Sequence, residues 1–141
     1  MKRTFITHVT KDYLEVALNL AKSIRYFSEL PLIVYCIDLD GDENYFKDIP
    51  NVEVRNINLD LKQYEGDQDY IFSGSGNFYV NRSSHRIYHI LCAKTLAMEL
   101  ALEEGWDEVC YLDSDCLATP LVDELFDWSY LIQNYPVATE G

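Results

Sequence analysis

The stretch "PLIVYCIDLDGDE", residues 31–43, decides the fold class. Leu32 to Ile37 is a short apolar run without polar alternation, rich in β-branched and aromatic side chains, bounded by Pro31 and by acids. A strand of this kind must be covered on both sheet faces, which is the situation of a parallel sheet between helices.

The flanking text fits that frame. Upstream, "TFITHV" (Thr4 to Val9) reads as another buried strand. Asp12 and Glu15 then offer a capping-box-like start, and Tyr13, Ala17, Leu20, Ile24 and Phe27 recur at helical spacing, so a helix is expected that ends before Pro31. Downstream, Pro50 and Asn51 introduce "VEVRNI" (Val52 to Ile57), whose alternation predicts an edge strand. The segment from Asp60 to about Ser84 is rich in Gly, Ser, Tyr and Asn and has no clean period; it reads either as a functional loop or as an ordinary insertion holding a short hairpin. A helical period returns from about Ser84 to Glu104, with Gly105 placed as its C′ residue, and "EVCYL" (Glu108 to Leu112) is a fourth strand leading into Asp113.

This order predicts one α/β domain over residues 1–141, with a mostly parallel sheet, flanking helices and a Rossmann-like strand order 3-2-1-4. The first and fourth strands become neighbours at the topological switch point, where open α/β sheets bind ligands beyond the carboxyl ends of the strands. Thr7 and His8 leave one of those strands and Asp113 the other.

Composition bounds the partners. A formal charge of −13, from 24 acids against 11 Lys and Arg, argues against nucleic acid or an anionic membrane as partner. No apolar run reaches the roughly 20 residues of a membrane span, and the N-terminus lacks a signal-peptide pattern, so the expected setting is cytoplasmic, without a transmembrane segment. Cys36, Cys92, Cys110 and Cys116 show no CxxC spacing and are read as small buried thiols.

Two acid pairs follow strands: Asp38 and Asp40 in "DLDGDE", and Asp113 and Asp115 in "YLDSDC". A DxD can hold one divalent ion, completed by substrate phosphates and water, if a turn brings both carboxylates together. It can equally arise where one acid caps a turn and the other is solvated. On a helical projection Ile87, Ile90, Leu91, Ala97, Met98 and Ala101 share a face with Lys94 in its middle. A lysine there must either be partnered, by Asp113 or a bound phosphate, or snorkel. Arg86, near the start of the same helix one turn from Ser83, is a second candidate cation and also fits an exposed arginine.

"AKTLAMELALEEGWDEVCYLDSDCLAT" (Ala93 to Thr119) resembles the nucleotide-sugar-binding half of GT-A-fold glycosyltransferases, in which a lysine-bearing helix leads into a strand ending in LDxD. "TFITHVTKDYLEVALNLAKSIRYF" (Thr4 to Phe27) is similar to their first strand and helix. The resemblance implies a nucleoside-diphosphate sugar donor, a uridine nucleotide by family habit, with Asp113 and Asp115 holding Mn²⁺ or Mg²⁺ on its diphosphate. It also implies Thr7 and His8 at the nucleoside, Asp38 at the base or ribose, and Arg86, Lys94 and Ser114 near the phosphates or sugar. The acceptor, whether sugar, lipid or protein, stays open. Only 26 residues follow Asp115, fewer than a GT-A second half needs, so an N-terminal fragment is expected, with the catalytic residue beyond Gly141.

Two other classes stand beside it. "VYCIDLDGDE" resembles the nucleophile motif of haloacid dehalogenase-like phosphatases, with Asp38 attacking and Asp40 as acid and base. Against it, a strand and helix precede Asp38, and Asp42 stands where Thr or Val is usual. The third class is a catalytically inactive GT-A-like binding module. In it Tyr64, Tyr70, Phe72, Phe78 and Tyr79 form a sugar-stacking or partner surface.

Overall fold

A computed structural model describes residues 1–39, 43–72, 74–81 and 84–127. Asp40, Asp42 and Ser83 lie outside them.

β2 (Leu32–Ile37) is buried at every position, as its uninterrupted apolar text requires. It lies between β1 (Arg3–Val9) and β3 (Val52–Ile57), and β1 in turn pairs with the last strand, β6 (Glu108–Tyr111), in the spatial order β3-β2-β1-β6. All three pairings are parallel. β3 stands at the edge, as its text predicts, although its burial does not strictly alternate: Val52, Val54 and Arg55 are half-buried, Glu53 and Asn56 exposed and Ile57 buried.

The sheet has a hydrophobic layer on each face. Phe5 and Val9 of β1 and Leu32, Val34 and Cys36 of β2 face α1 (Leu14–Phe27), which buries Leu14, Ala17, Leu20, Ala21 and Ile24 against them. Ile6, Ile33, Tyr35 and Ile37 face α2 (His85–Glu103). The capping box expected at Asp12 and Glu15 does not form: a 3-10 turn at Lys11–Tyr13 precedes α1, and neither Thr10 nor Tyr13 makes a side-chain cap. The helix tolerates this because a cap is worth about 1 kcal/mol, whereas burying each large aliphatic contributes about 1.5–3 kcal/mol. α2, in contrast, is capped: the Ser84 hydroxyl accepts from the Ile87 amide, and Gly105 at φ +100° ends the helix.

The face of α2 differs from the helical projection. Its buried row is Ala93, Ala97 and Ala101, at four-residue spacing, while Lys94 and Leu91 are exposed. Alanines admit the close approach of Ile6, Ile33 and Tyr35, and Lys94, about 60° from the mean direction of this row, lies at its exposed margin. Lys94 is therefore not buried in an apolar stripe; its Nζ lies 4.9 Å from the centroid of the Tyr111 ring.

Between β3 and α2 the unperiodic segment contains a hairpin, β4 (Tyr70–Phe72) paired antiparallel with β5 (Phe78–Val80). None of the four cysteines forms a disulfide; Cys36 is buried and Cys110 half-buried, but Cys92 and Cys116 are exposed, which corrects their reading as buried thiols. Among the described residues no helix is long and apolar enough to cross a membrane.

Candidate functional site

A difference in strand length opens the site. β1 pairs with β2 as far as Val9, opposite Cys36, but with β6 only as far as Ile6, opposite Tyr111. Beyond that point the Leu112 amide still donates to the Ile6 carbonyl at 2.9 Å, and the chain then turns away, the Cys116 amide donating to the Asp113 carbonyl at 3.0 Å. Further on, the Ala118 amide donates to Ser23 Oγ of α1 at 2.8 Å, and Phe126 packs on Phe5. The acidic turn is thus pinned at both ends, and a slot is left beside the last residues of β1.

That slot is the floor of a cleft of about 690 Å³. Asp113, Ser114 and Asp115 line it together with His8, Tyr111 and Arg86. Asp69 lines it too, and its carboxylate accepts from Arg86 Nη1 at 2.6 Å and from Ser84 Oγ at 2.9 Å. The hairpin segment is therefore tied to the start of α2 through the cleft's arginine. Tyr13, Tyr70, Val80, Ile87, Ile90 and Leu91 give the cleft an aromatic and aliphatic part.

His8 lies deep in this arrangement. Its Nδ1 is 2.8 Å from the Tyr111 hydroxyl. Burial lowers its pKa from the usual value, outweighing the raising effects of a backbone hydrogen bond at Ile90 and of Asp113, while Lys94 adds to the lowering. His8 is therefore neutral at pH 7. The Tyr111 phenol is pushed up by burial first and then by the charge and hydrogen bond of Asp113, so it stays protonated.

Asp113, Asp115 and Cys116 each bring one ligand atom to within 4.8 Å of the others, all three residues being exposed. Burial first, then the two aspartates, pushes the Cys116 thiol up, which keeps it a neutral thiol. The usable donors are the two carboxylates, a hard oxygen set that fits Mg²⁺ or Mn²⁺ better than a thiolate-preferring metal.

The residues expected to gather here divide into two groups. His8, Arg86, Asp113, Ser114 and Asp115 share the cleft. Thr7 does not: alternation along β1 puts it on the side of Phe5, where it is fully buried and its hydroxyl has no hydrogen-bond partner among the described residues. Lys94 is not a lining residue either. Asp38 is also absent from the lining, and its carboxylate is already engaged: Oδ1 accepts from the Leu59 and Asp60 amides at 2.7 and 3.2 Å, and Oδ2 from the Leu61 amide at 2.7 Å. Asp38 has φ +53°, a conformation that aspartate tolerates better than most residues, and it ties the end of β2 to the chain leaving β3.

Asp69 and Tyr111 were not picked out from the sequence. "DQD" at Asp67 to Asp69 is a further DxD and was a legible signal, while Tyr111 lay inside the quoted strand without chemistry attached to it. No protein-family model matches the chain, and no curated protein matches it.

Proposed function

We propose that the chain is the donor-binding part of a metal-dependent glycosyltransferase of GT-A type, taking a nucleoside-diphosphate sugar, by resemblance a UDP-sugar. The observation that supports it is the pinned acidic turn, which presents Asp113, Ser114 and Asp115 to the same cleft as Arg86 and His8, at the switch point between β1 and β6.

In this proposal Asp113 and Asp115 would hold Mn²⁺ or Mg²⁺. The bound ion would neutralise charge on the diphosphate, the leaving group of glycosyl transfer. Arg86 would meet the same phosphates, and to do so it must exchange or share its contact with Asp69. His8, neutral and hydrogen-bonded to Tyr111, would shape the floor without contributing charge. Thr7, Asp38 and Lys94 have no part in it.

Calorimetric titration of UDP in the presence of Mn²⁺ tests this. Binding that disappears with EDTA and in Asp115→Ala is the expected result; binding that survives both would refute it. A phosphatase would instead have to free the Asp38 carboxylate from three backbone amides before it could attack. Hydrolysis of a phosphate ester that is lost in Asp38→Asn would reinstate that alternative. Tight UDP binding with no transfer to any acceptor would favour the inactive binding module.

A further inference from the structure

We infer that His85, His89 and Asp67 form a site for a divalent ion of the Zn²⁺ type, which ties the chain between β3 and the hairpin to the first turns of α2. The three residues lie outside the cleft lining, take no part in the donor proposal and keep their chemistry whatever the cleft binds.

The helix supplies two of the ligands. His85 and His89 are four residues apart at the start of α2, so their Cβ atoms stand about 6 Å apart on one face. Arg86, Ile87 and Ile90, which line the cleft, belong to a different face of the same turns. Both imidazoles rest on one residue of the preceding segment: the Tyr64 ring centroid is 5.6 Å from that of His85 and 5.0 Å from that of His89. The Tyr64 hydroxyl is 3.0 Å from His89 Nε2.

That segment also supplies the carboxylate. The Asp67 amide donates to the Tyr64 carbonyl at 3.1 Å, which closes a turn after the 3-10 segment Leu61–Tyr64, and Asp67 Oδ2 accepts from the His85 amide at 2.9 Å. The carboxylate is thereby fixed beside the imidazole, with Oδ2 3.8 Å from His85 Nδ1. This gap is too long for a hydrogen bond. It is close to the roughly 3.3 Å between two ligands of one tetrahedral ion bound at about 2.0–2.1 Å.

The donor set selects the ion. Two imidazoles and one carboxylate favour Zn²⁺, or its neighbours Cu²⁺ and Ni²⁺, over Mg²⁺ and Ca²⁺, which prefer all-oxygen surroundings. With a water as fourth ligand the set completes a tetrahedron. As the side chains stand, the three donors do not all lie within 4.8 Å of one another. Capture of the ion therefore turns the His89 ring toward Asp67, a change of side-chain torsion at a half-exposed position.

NMR of the imidazole nitrogens during a Zn²⁺ titration of the whole chain tests this, with Mg²⁺ in excess to mask exposed carboxylates. The ring signals of His85 and His89 should move together up to one equivalent, while those of His8 stay in place. By calorimetry, His85→Ala, His89→Ala and Asp67→Asn should each weaken Zn²⁺ binding about tenfold or more. Cys92→Ser, which removes an exposed thiol on the same helix, and Asp113→Asn should leave it unchanged. Asparagine keeps an acceptor for the His85 amide, and thermal melts in EDTA would verify that the variants fold. Zn²⁺ should raise the melting temperature of the parent protein but not that of His85→Ala. Ring signals of His85 and His89 that ignore Zn²⁺ would overturn the inference without recourse to any variant. Binding that survives both histidine substitutions, or that is lost in Cys92→Ser or Asp113→Asn instead, would overturn it as well.

Discussion

Two acidic turns leave this sheet at the carboxyl ends of parallel strands, and they use their carboxylates in opposite ways. After β2, Asp38 turns back into the chain and accepts three backbone amides from residues 59–61. After β6, the carboxylates of Asp113 and Asp115 make no ion pair among the described residues and face a cleft, while the turn itself is held by the Leu112 and Ala118 amides. Identical residue types in near-identical sequence settings thus divide into backbone-bound and cleft-facing positions. What decides is whether a neighbouring segment brings unsatisfied N–H groups to the acid. The chain after β3 does so for Asp38, and the divergence of β6 from β1 denies it to Asp113 and Asp115.

The contrast can be broken most forcefully by Asp115→Ala. It should weaken Mn²⁺-dependent UDP binding by about 100-fold or more, since outer-sphere partners alone are typically worth 10–100-fold. Asp38→Ala should leave that affinity unchanged. A calorimetric titration giving the reverse order would exchange the two roles.

Stability should show the mirror image. Asp38→Ala removes three amide contacts and puts alanine at φ +53°, so urea denaturation should report a loss of about 2 kcal/mol. Asp115→Ala, at an exposed position, should stay within about 0.5 kcal/mol of the parent protein. Equal losses in the two variants would mean that the β6 turn also depends on its carboxylates for folding.

The cation on the cleft-facing side sharpens the comparison further. Arg86→Gln should weaken UDP binding about tenfold, or roughly 1.4 kcal/mol, the scale of one charge-assisted hydrogen bond. Asp69→Asn, which loosens the hold on Arg86, should strengthen binding instead. If Asp69→Asn weakens it as much as Arg86→Gln does, the pair acts as a fixed unit and Arg86 is not exchanged to the phosphates.

The smallest effect belongs to Lys94. It lies over the Tyr111 ring and outside the cleft lining, so Lys94→Met should change UDP affinity less than about twofold and stability by no more than about 1 kcal/mol, the value of an exposed cation–π contact. A tenfold loss of affinity would return Lys94 to the site.

Much of the sheet was legible because its signal is local. The unbroken apolar text of β2, the alternation of β3 and Gly105 at the end of α2 each state a burial or backbone requirement within a few residues. The topology followed from handedness rules, and it brought the acidic turn beside His8. The hairpin was only one of two readings for its segment, since three-residue strands are too short to show a period. Period-two alternation told that Thr7 and His8 part company but not which of them meets the cleft. The role of Asp69 depends on Arg86 and Ser84 across the segment, and that of Asp38 on amides beyond β3, and neither contact leaves a trace in residue type. Lys94 misled because the apolar projection put it at the centre of the contact face, whereas the fully buried row is Ala93, Ala97 and Ala101, with Leu96, Met98 and Leu100 packed partly buried beside it.

The central claim is that the β6 turn, not the β2 turn, binds the cation that carries the diphosphate. Paramagnetic broadening by Mn²⁺ in amide-resolved NMR of the whole chain tests it most directly. Substoichiometric Mn²⁺ should first erase the amides of residues 113–116 and His8, leave those of Asp38 and residues 59–61 sharp, and do so more selectively when UDP is present. Broadening centred on Asp38 and residues 59–61, or spread evenly over the acidic surface with or without UDP, would contradict the account.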